Sequence, residues 1–267
     1  MDLELAGKTA LITGGSKGIG KAIARALALE GVDIAISART PEVLEKTAAE
    51  LGVETGQRVI PIVADTGSTP AVDAMVATAV EQLGRLEILV NNAARPGGGP
   101  GPVPSVEGIT DANFEEEMNT KVMGYLRCAR AAAPHLKANS WGRIINISGL
   151  AARQSGTAIG SMRNVAVAAL TKNLADELGP YGINVTVVHP GFTWTERMPA
   201  LLEQRATQQG ISVEEATKQA AQGNSVRRII DASDIAHVVA FLASPKSVAV
   251  QGDTIAAGGG VGRAIHY

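Results

Sequence analysis

The sequence predicts an α/β protein with a doubly wound, parallel sheet covered by helices on both faces, and three observations predict it. Short apolar runs of the buried-strand kind alternate with longer segments whose apolar residues recur every three or four positions. The runs are apolar on both faces, as strands of a covered parallel sheet must be. A glycine-rich turn follows the first run directly and opens a helical segment.

Taken in order, the strand-like runs are "TALIT" (9–13), "DIAIS" (33–37), "RVIPIV" (58–63), "LEILVN" (86–91), "GRIINIS" (142–148) and "NVTVVH" (184–189). Between them lie "GKAIARALALEG", "PEVLEKTAAELG", "AVDAMVATAVEQLG", "FEEEMNTKVMGYLRCARAAAPHL" and "NVAVAALTKNLADELG", each of helical period. Two segments break the rhythm. "RPGGGPGPVPSVEG" (95–108) reads as a mobile loop on the edge where ligands bind, and the polar, helix-prone stretch 194–228 reads as a lid over that edge. With 267 residues, 45% hydrophobic content and no repeat of fixed period, 1–267 is expected to form a single domain.

Composition excludes several function classes. The formal net charge of −2 comes from interspersed acids and bases, with no basic run to hold a phosphate backbone, so no nucleic-acid partner is expected. One cysteine, Cys128, allows neither an intrachain disulfide nor a multi-cysteine metal site, and its apolar helical setting makes it a core filler. His135, His189, His237 and His266 are scattered without carboxylate companions at ligand spacing, so no metal is expected. The opening "MDLELAGKTALIT" lacks the pattern of a signal peptide, and no apolar run reaches the roughly 18 residues of a membrane span. A cytoplasmic protein with no membrane partner is the expectation.

The turn "TGGSKGIG" places Gly14, Gly18 and Gly20 at G-x-x-x-G-x-G spacing between a strand and a helix. Glycines there let backbone N–H groups approach a pyrophosphate seated at the positive end of the helix. Together with "NNAA" (91–94), "GRIINIS" (142–148), "HPGFTWT" (189–195) and "VQGDTIAAGGG" near the end, this turn resembles the short-chain dehydrogenase/reductase family. The resemblance implies a Rossmann-type sheet of about seven strands. It also implies a dinucleotide held by Gly14, Ser16, Lys17, Gly18, Ile19 and Gly20 in the turn. Asp65 and Thr66 after the third strand, Asn91 and Ala93 after the fourth, and Pro190, Gly191, Thr193 and Thr195 after the sixth complete the expected cofactor set. In that likeness Asp65 bonds the adenine, Asn91 and Ala93 pack beside it, and Gly191 and Thr195 touch the nicotinamide end. After "DIAIS" come Ala38 and Arg39 with no acid to bind a free ribose hydroxyl, and Lys17 stands in the glycine turn. Two cations without a competing carboxylate favour a 2′-phosphate, hence NADP(H).

The family's chemistry uses an Asn-Ser-Tyr-Lys set, with the tyrosine as acid/base. Counting back from "LTKNLADELGPYGINV" puts its tyrosine site at Gly160 and its lysine site at Asn164; the serine site falls on Gly149, with Ser148 one residue early, and the asparagine site on Lys121. All four positions are altered. Tyr125, Tyr181 and Tyr267 lie away from this helix start; Tyr125 reads as a core or subunit-contact residue, and a C-terminal Tyr267 reaching a neighbour's site stays open. What remains polar is Lys121, Ser148, Arg163 and Asn164. A buried lysine can have its pKa lowered enough to serve as an acid/base near neutrality, so Lys121 is either a relocated catalytic cation or the cap of a polar hole. Arg163 is either part of that site or a surface or interface charge.

Two functions follow. One is an NADP(H)-dependent oxidoreductase moving hydride to or from a small organic substrate through a non-standard site containing Lys121, Ser148, Arg163 and Asn164. The other is an NADP-binding protein without hydride transfer, acting as a sensor or assembly subunit. The resemblance further implies a homo-oligomer, tetramer or dimer, joined through its long helices.

Overall fold

A computed structural model describes residues 1–94 and 105–262. Seven strands form one wholly parallel sheet: β1 (Thr9–Thr13), β2 (Asp33–Ala38), β3 (Val59–Val63), β4 (Ile88–Asn91), β5 (Gly142–Ile147), β6 (Ile183–Pro190) and β9 (Thr254–Ala257), in spatial order β3-β2-β1-β4-β5-β6-β9. A two-stranded ribbon of β7 (Thr193–Trp194) and β8 (Ile230–Asp231) stands apart from it. The strand order reverses between β1 and β4, which opens a crevice beyond their carboxyl ends.

Side-chain alternation along the strands divides the core in two. Ile12, Ile34, Ile36 and Val90 face α1 (Gly18–Leu29), α2 (Pro41–Thr55) and α9 (Ala232–Ala243). Leu11, Ala35 and Leu89 face α3 (Thr69–Leu83), α5 (Gly124–Ala138) and α6 (Ala158–Leu178), where Cys128 is buried and its thiol is pushed up to about 12 by desolvation. Burial on both faces is why the strands read as continuous apolar runs.

Three differences from the sequence expectations have physical causes. The helical stretch beginning "FEEEMN" is not one regular helix: α4 (Asp111–Glu117) widens into a π-helical turn at Met118–Met123 before α5 continues. The helical period read from Asn164 extends back to Ala158, inside the stretch 155–164 where the helix is expected to start, because Thr157 caps it and accepts from the Gly160 N–H at 3.3 Å. The polar stretch 194–228 carries a small core of its own, in which Met198, Leu202 and Ala206 of α7 (Met198–Gln209) pack on Ala216 of α8 (Val213–Ala221). Among the described residues no helix is long and apolar enough to cross a membrane. Most of the 95–108 loop, and the expectations placed on His266 and Tyr267, lie outside the described residues.

Candidate active site

The glycine turn sits at the carboxyl end of β1, and its geometry needs glycine at specific places. Gly14 has φ +66 and Gly18 φ +54, and a Cβ on Gly20 would lie 2.1 Å from the Gly14 carbonyl oxygen and 2.4 Å from Asn92 Nδ2. Asn92 fastens this turn to β4 by donating to the Thr13 and Gly14 carbonyls at 3.1 and 3.0 Å, while Thr13 Oγ1 accepts from the Asn92 and Ala93 N–H groups. Sequence reasoning passed over Asn92, although it lies inside the quoted "NNAA".

Around that turn, Ser16 offers its carbonyl to Thr47 Oγ1, Ile19 is half-buried, and Lys17 and Arg39 are exposed without side-chain partners among the described residues. Asp65 is exposed after β3 and accepts from the Gly67 N–H, whereas Thr66 is buried. Asn91 is fully buried; its Nδ2 donates to Asn146 Oδ1 at 2.9 Å, and Asn146 Nδ2 donates in turn to Thr171 Oγ1, so a polar ladder crosses from β4 through β5 to α6. Pro190 ends β6, Gly191 packs on Gly258, and Thr193 Oγ1 donates to the Gly191 carbonyl. Thr195 lies across from Gly18, 3.4 Å from where a Cβ would stand. Its neighbour Glu196 accepts from the Gly18 N–H through both carboxylate oxygens, at 3.0 and 3.3 Å, which places an anion on the first turn of α1.

At the start of α6 the structure brings Lys121, Ser148 and Asn164 together. Lys121 projects from the π-helical turn; its Nζ donates to the Ser148 carbonyl and to Asn164 Oδ1, both at 2.9 Å, and Ser148 Oγ lies 3.1 Å from that same Oδ1. Among the described residues no carboxylate pairs with the ammonium, and desolvation lowers the Lys121 pKa from 10.5 to about 7. Gly149 is backed by His189, whose Nδ1 accepts the Gly149 N–H at 3.1 Å. Burial, Arg153 and Lys121 lower the His189 pKa to about 4, so its imidazole is neutral near pH 7.

The other groups stand aside. Arg163 is only 9% exposed and forms an ion pair with Glu117, which corrects the surface-charge expectation. Glu117 sits one turn before Lys121 on the facing helix, so the two helices meet through successive cross-helix pairs, Glu117 with Arg163 and Lys121 with Asn164. Tyr125 is buried and its hydroxyl donates to the Ile147 carbonyl at 2.7 Å. Gly160 is tightly placed, since a Cβ there would lie 2.5 Å from Thr157 Cγ2. Sequence reasoning missed the π-helical turn, Glu117 as the partner of Arg163, and His189 as the acceptor that holds Gly149.

A Rossmann-type sheet with a glycine turn at its switch point, facing a polar cluster after β5, defines a dinucleotide-binding oxidoreductase fold. The short chain dehydrogenase family model matches residues 8–206, and the chain belongs to that family. Among its relatives is the short-chain reductase protein NovJ of Streptomyces niveus, 34% identical over 252 residues, 94% of this chain and 92% of the relative. The NADPH-dependent reductase BacG of Bacillus subtilis (strain 168) is 32% identical over 259 residues, covering 95% and 97% of the two chains. Among solved structures, L-sorbose reductase from Gluconobacter frateurii, complexed with NADPH and L-sorbose, superposes with a TM-score of 0.92 at 28% identity over 99% of this chain and 100% of that one.

Proposed function

We propose that this chain is an NADP(H)-dependent reductase of a small organic substrate, working through a replacement site built on Lys121. The observation that carries the reading is the exchange of side chains between two helices: where the family resemblance expects asparagine and lysine, this chain has Lys121 and Asn164, hydrogen-bonded to each other. The cation is kept and its helix has changed.

The glycine turn fits a dinucleotide, since its three glycines hold conformations and close approaches that a side chain would block. Gly14, Ser16, Gly18, Ile19 and Gly20 would hold the pyrophosphate, Lys17 and Arg39 the 2′-phosphate, Asp65 and Thr66 the adenine side, and Thr193 and Thr195 the nicotinamide side. Asn91 and Ala93 would wall the crevice, with Pro190 and Gly191 shaping its far end. Lys17 and Arg39, exposed and unpartnered among the described residues, the NADPH-dependent relative and the NADPH complex among similar structures support the phosphate-bearing cofactor. When bound, the reduced nicotinamide supplies a hydride.

The chain's own task is then to bind the oxygen of the reacting group and deliver one proton. A tyrosine normally does this, and Gly160 removes it. Lys121 is the one group of the cluster that can hold a transferable proton near neutral pH. Two of its ammonium N–H groups are engaged by Ser148 and Asn164, and the third has no partner among the described residues. Transfer from Nζ to the developing alkoxide would leave a neutral amine, recharged from water. The Ser148 carbonyl and the Asn164 carboxamide keep the amine in place through both states, Ser148 Oγ steadies that carboxamide, and the Glu117–Arg163 pair keeps the two helices in register. The segment 194–228 serves as the lid, its small core letting it move as a unit.

NADPH titration followed by NADPH oxidation over aldehydes, ketones and activated alkenes tests the reading. Tight binding with turnover that Lys121→Met abolishes is the expected result. Binding without turnover across the panel would leave the chain a dinucleotide-binding protein without hydride transfer, and failure to bind would remove both. Introducing a tyrosine by Gly160→Tyr is a poor rescue by itself, because Thr157 occupies the Cβ direction. Association through α5 and α6 belongs to the same proposal, since Met123, in the turn that leads into α5, and Met162 and Val165 of α6 lie exposed at 40–50%.

A further inference from the structure

Asn164 is almost fully buried at 4% exposure, and its two ends meet different surroundings. Its Oδ1 accepts from Lys121 Nζ at 2.9 Å and lies 3.1 Å from Ser148 Oγ. An ammonium can only donate, so chemistry fixes which end of the carboxamide faces Lys121. The Nδ2 end therefore turns the other way. It lies against Gly149: a Cβ at Gly149 would stand 3.2 Å from Nδ2 and 3.7 Å from Oδ1, so a side chain at 149 would crowd that end of the amide. Gly149 itself is held from behind by His189 Nδ1. Nδ2 has no hydrogen-bond partner among the described residues. Its two N–H groups therefore lie beside Gly149, the family's serine position.

We propose that Asn164 is the residue that receives the substrate's oxygen, and that Lys121 and Ser148 act through it by holding its Nδ2 face toward the crevice. This rests on the reductase reading above. The arrangement is a donor-only surface backed by a buried cation. It favours an acceptor oxygen that gains negative charge as hydride arrives, and it opposes an iminium, which is cationic and has no lone pair to offer. Gly149 is then explained as the position that must stay small so that an amide can do what a hydroxyl does elsewhere in the family. Lys121 fixes the amide through Oδ1, and the proton it supplies reaches the oxygen bound at Nδ2 by way of water.

The test compares two probe substrates, cyclohexanone and an N-methyl-3,4-dihydroisoquinolinium salt, with NADPH. Asn164→Asp keeps an oxygen toward Lys121 but loses both N–H groups. Its kcat/KM for cyclohexanone should fall by about 100-fold or more relative to wild type, while that for the iminium falls far less or rises. An equal fall for both probes, or ketone turnover kept within about threefold, would overturn the assignment. A readout independent of turnover is the Asn164 side-chain NH2 pair in a 15N correlation spectrum, identified as the pair missing from Asn164→Asp. With NADP+ bound, added cyclohexanone should move it; an unmoved pair would overturn the proposal even if the reductase reading holds. If neither probe is reduced yet the pair moves, the oxygen site stands and the reductase reading is what fails.

Discussion

The glycine turn after β1 and the first turns of α6 lie at the same carboxyl edge of the sheet but are built from different material. The turn is made of backbone: positive φ at Gly14 and Gly18, close approach at Gly20, and N–H groups at the head of α1. Its anion-binding capacity comes from peptide dipoles, which no side-chain exchange removes. The α6 end is made of side chains, where Lys121, Asn164 and Ser148 bring a cation, an amide and a hydroxyl together. A backbone site tolerates few sequences and therefore keeps its spelling. On the proposed reading, a side-chain site keeps a charge in place while the residue that carries it moves to another helix.

The sharpest way to separate the two ends is Lys121→Met. Turnover should drop by roughly 100- to 10,000-fold while NADPH affinity stays unchanged, since Lys121 belongs to the α6 end alone. Stability gives the same variant a second signature. The Lys121 pKa is about 7 when folded against 10.5 in its ordinary state, so between those values the unfolded chain binds the extra proton and wild-type stability rises with pH. Below pH 7 the full cost of the buried ammonium is present, on the order of a few kcal/mol. Chemical denaturation at pH 6 and pH 9 should show the variant gaining most on wild type at pH 6.

Gly20→Ala makes the reverse cut. Its Cβ meets a backbone carbonyl oxygen at 2.1 Å, which cannot swing away as a side chain could. A loss of about 1–3 kcal/mol in stability and a fall of at least about tenfold in NADPH affinity are expected from calorimetry and titration. The hydrogen bonds around Lys121 should survive the change.

His189 tests the support behind the α6 end. Its pKa of about 4 lies below the ordinary 6.5, so the unfolded chain takes up the proton first and stability falls as pH drops from 6.5 toward 4. His189→Asn, whose Oδ1 still accepts from Gly149, should flatten that acid limb by on the order of 2 kcal/mol, seen in urea midpoints at pH 4.5 and 7. The smallest effect belongs to Glu196→Gln. Its carboxylate sits on the Gly18 N–H that the cofactor's phosphates would approach, so neutralising it should raise NADPH affinity by roughly two- to fivefold in a fluorescence titration.

Much of the fold was legible because burial on both faces leaves strands no choice but continuous apolar runs, and "TALIT" is a strand over the residues read, Thr9–Thr13. Boundaries slipped where capping rather than hydrophobic period decides, as at Thr157, or where the strand begins later than its apolar run, as with Ile88 after Leu86. The π-helical turn carrying Lys121 left no mark in the sequence, because it is a shift of backbone pairing compatible with many side chains. The meeting of Lys121 with Asn164 spans 43 positions, so spacing could propose the two residues but could not join them. Glu117 was hidden among three consecutive glutamates, and only the facing helix picks it out as the partner of Arg163.

The most direct test of the central claim is the pH dependence of kcat/KM for NADPH-driven reduction, measured on wild type and Lys121→Met from pH 5.5 to 9.5. Reduction that needs the Lys121 ammonium should fall through a single ionisation near pH 7 in wild type and be lost in the variant, with NADPH binding intact in both. A wild-type profile flat through pH 9, or a variant that reduces substrate at the wild-type rate, would contradict a replacement site built on Lys121.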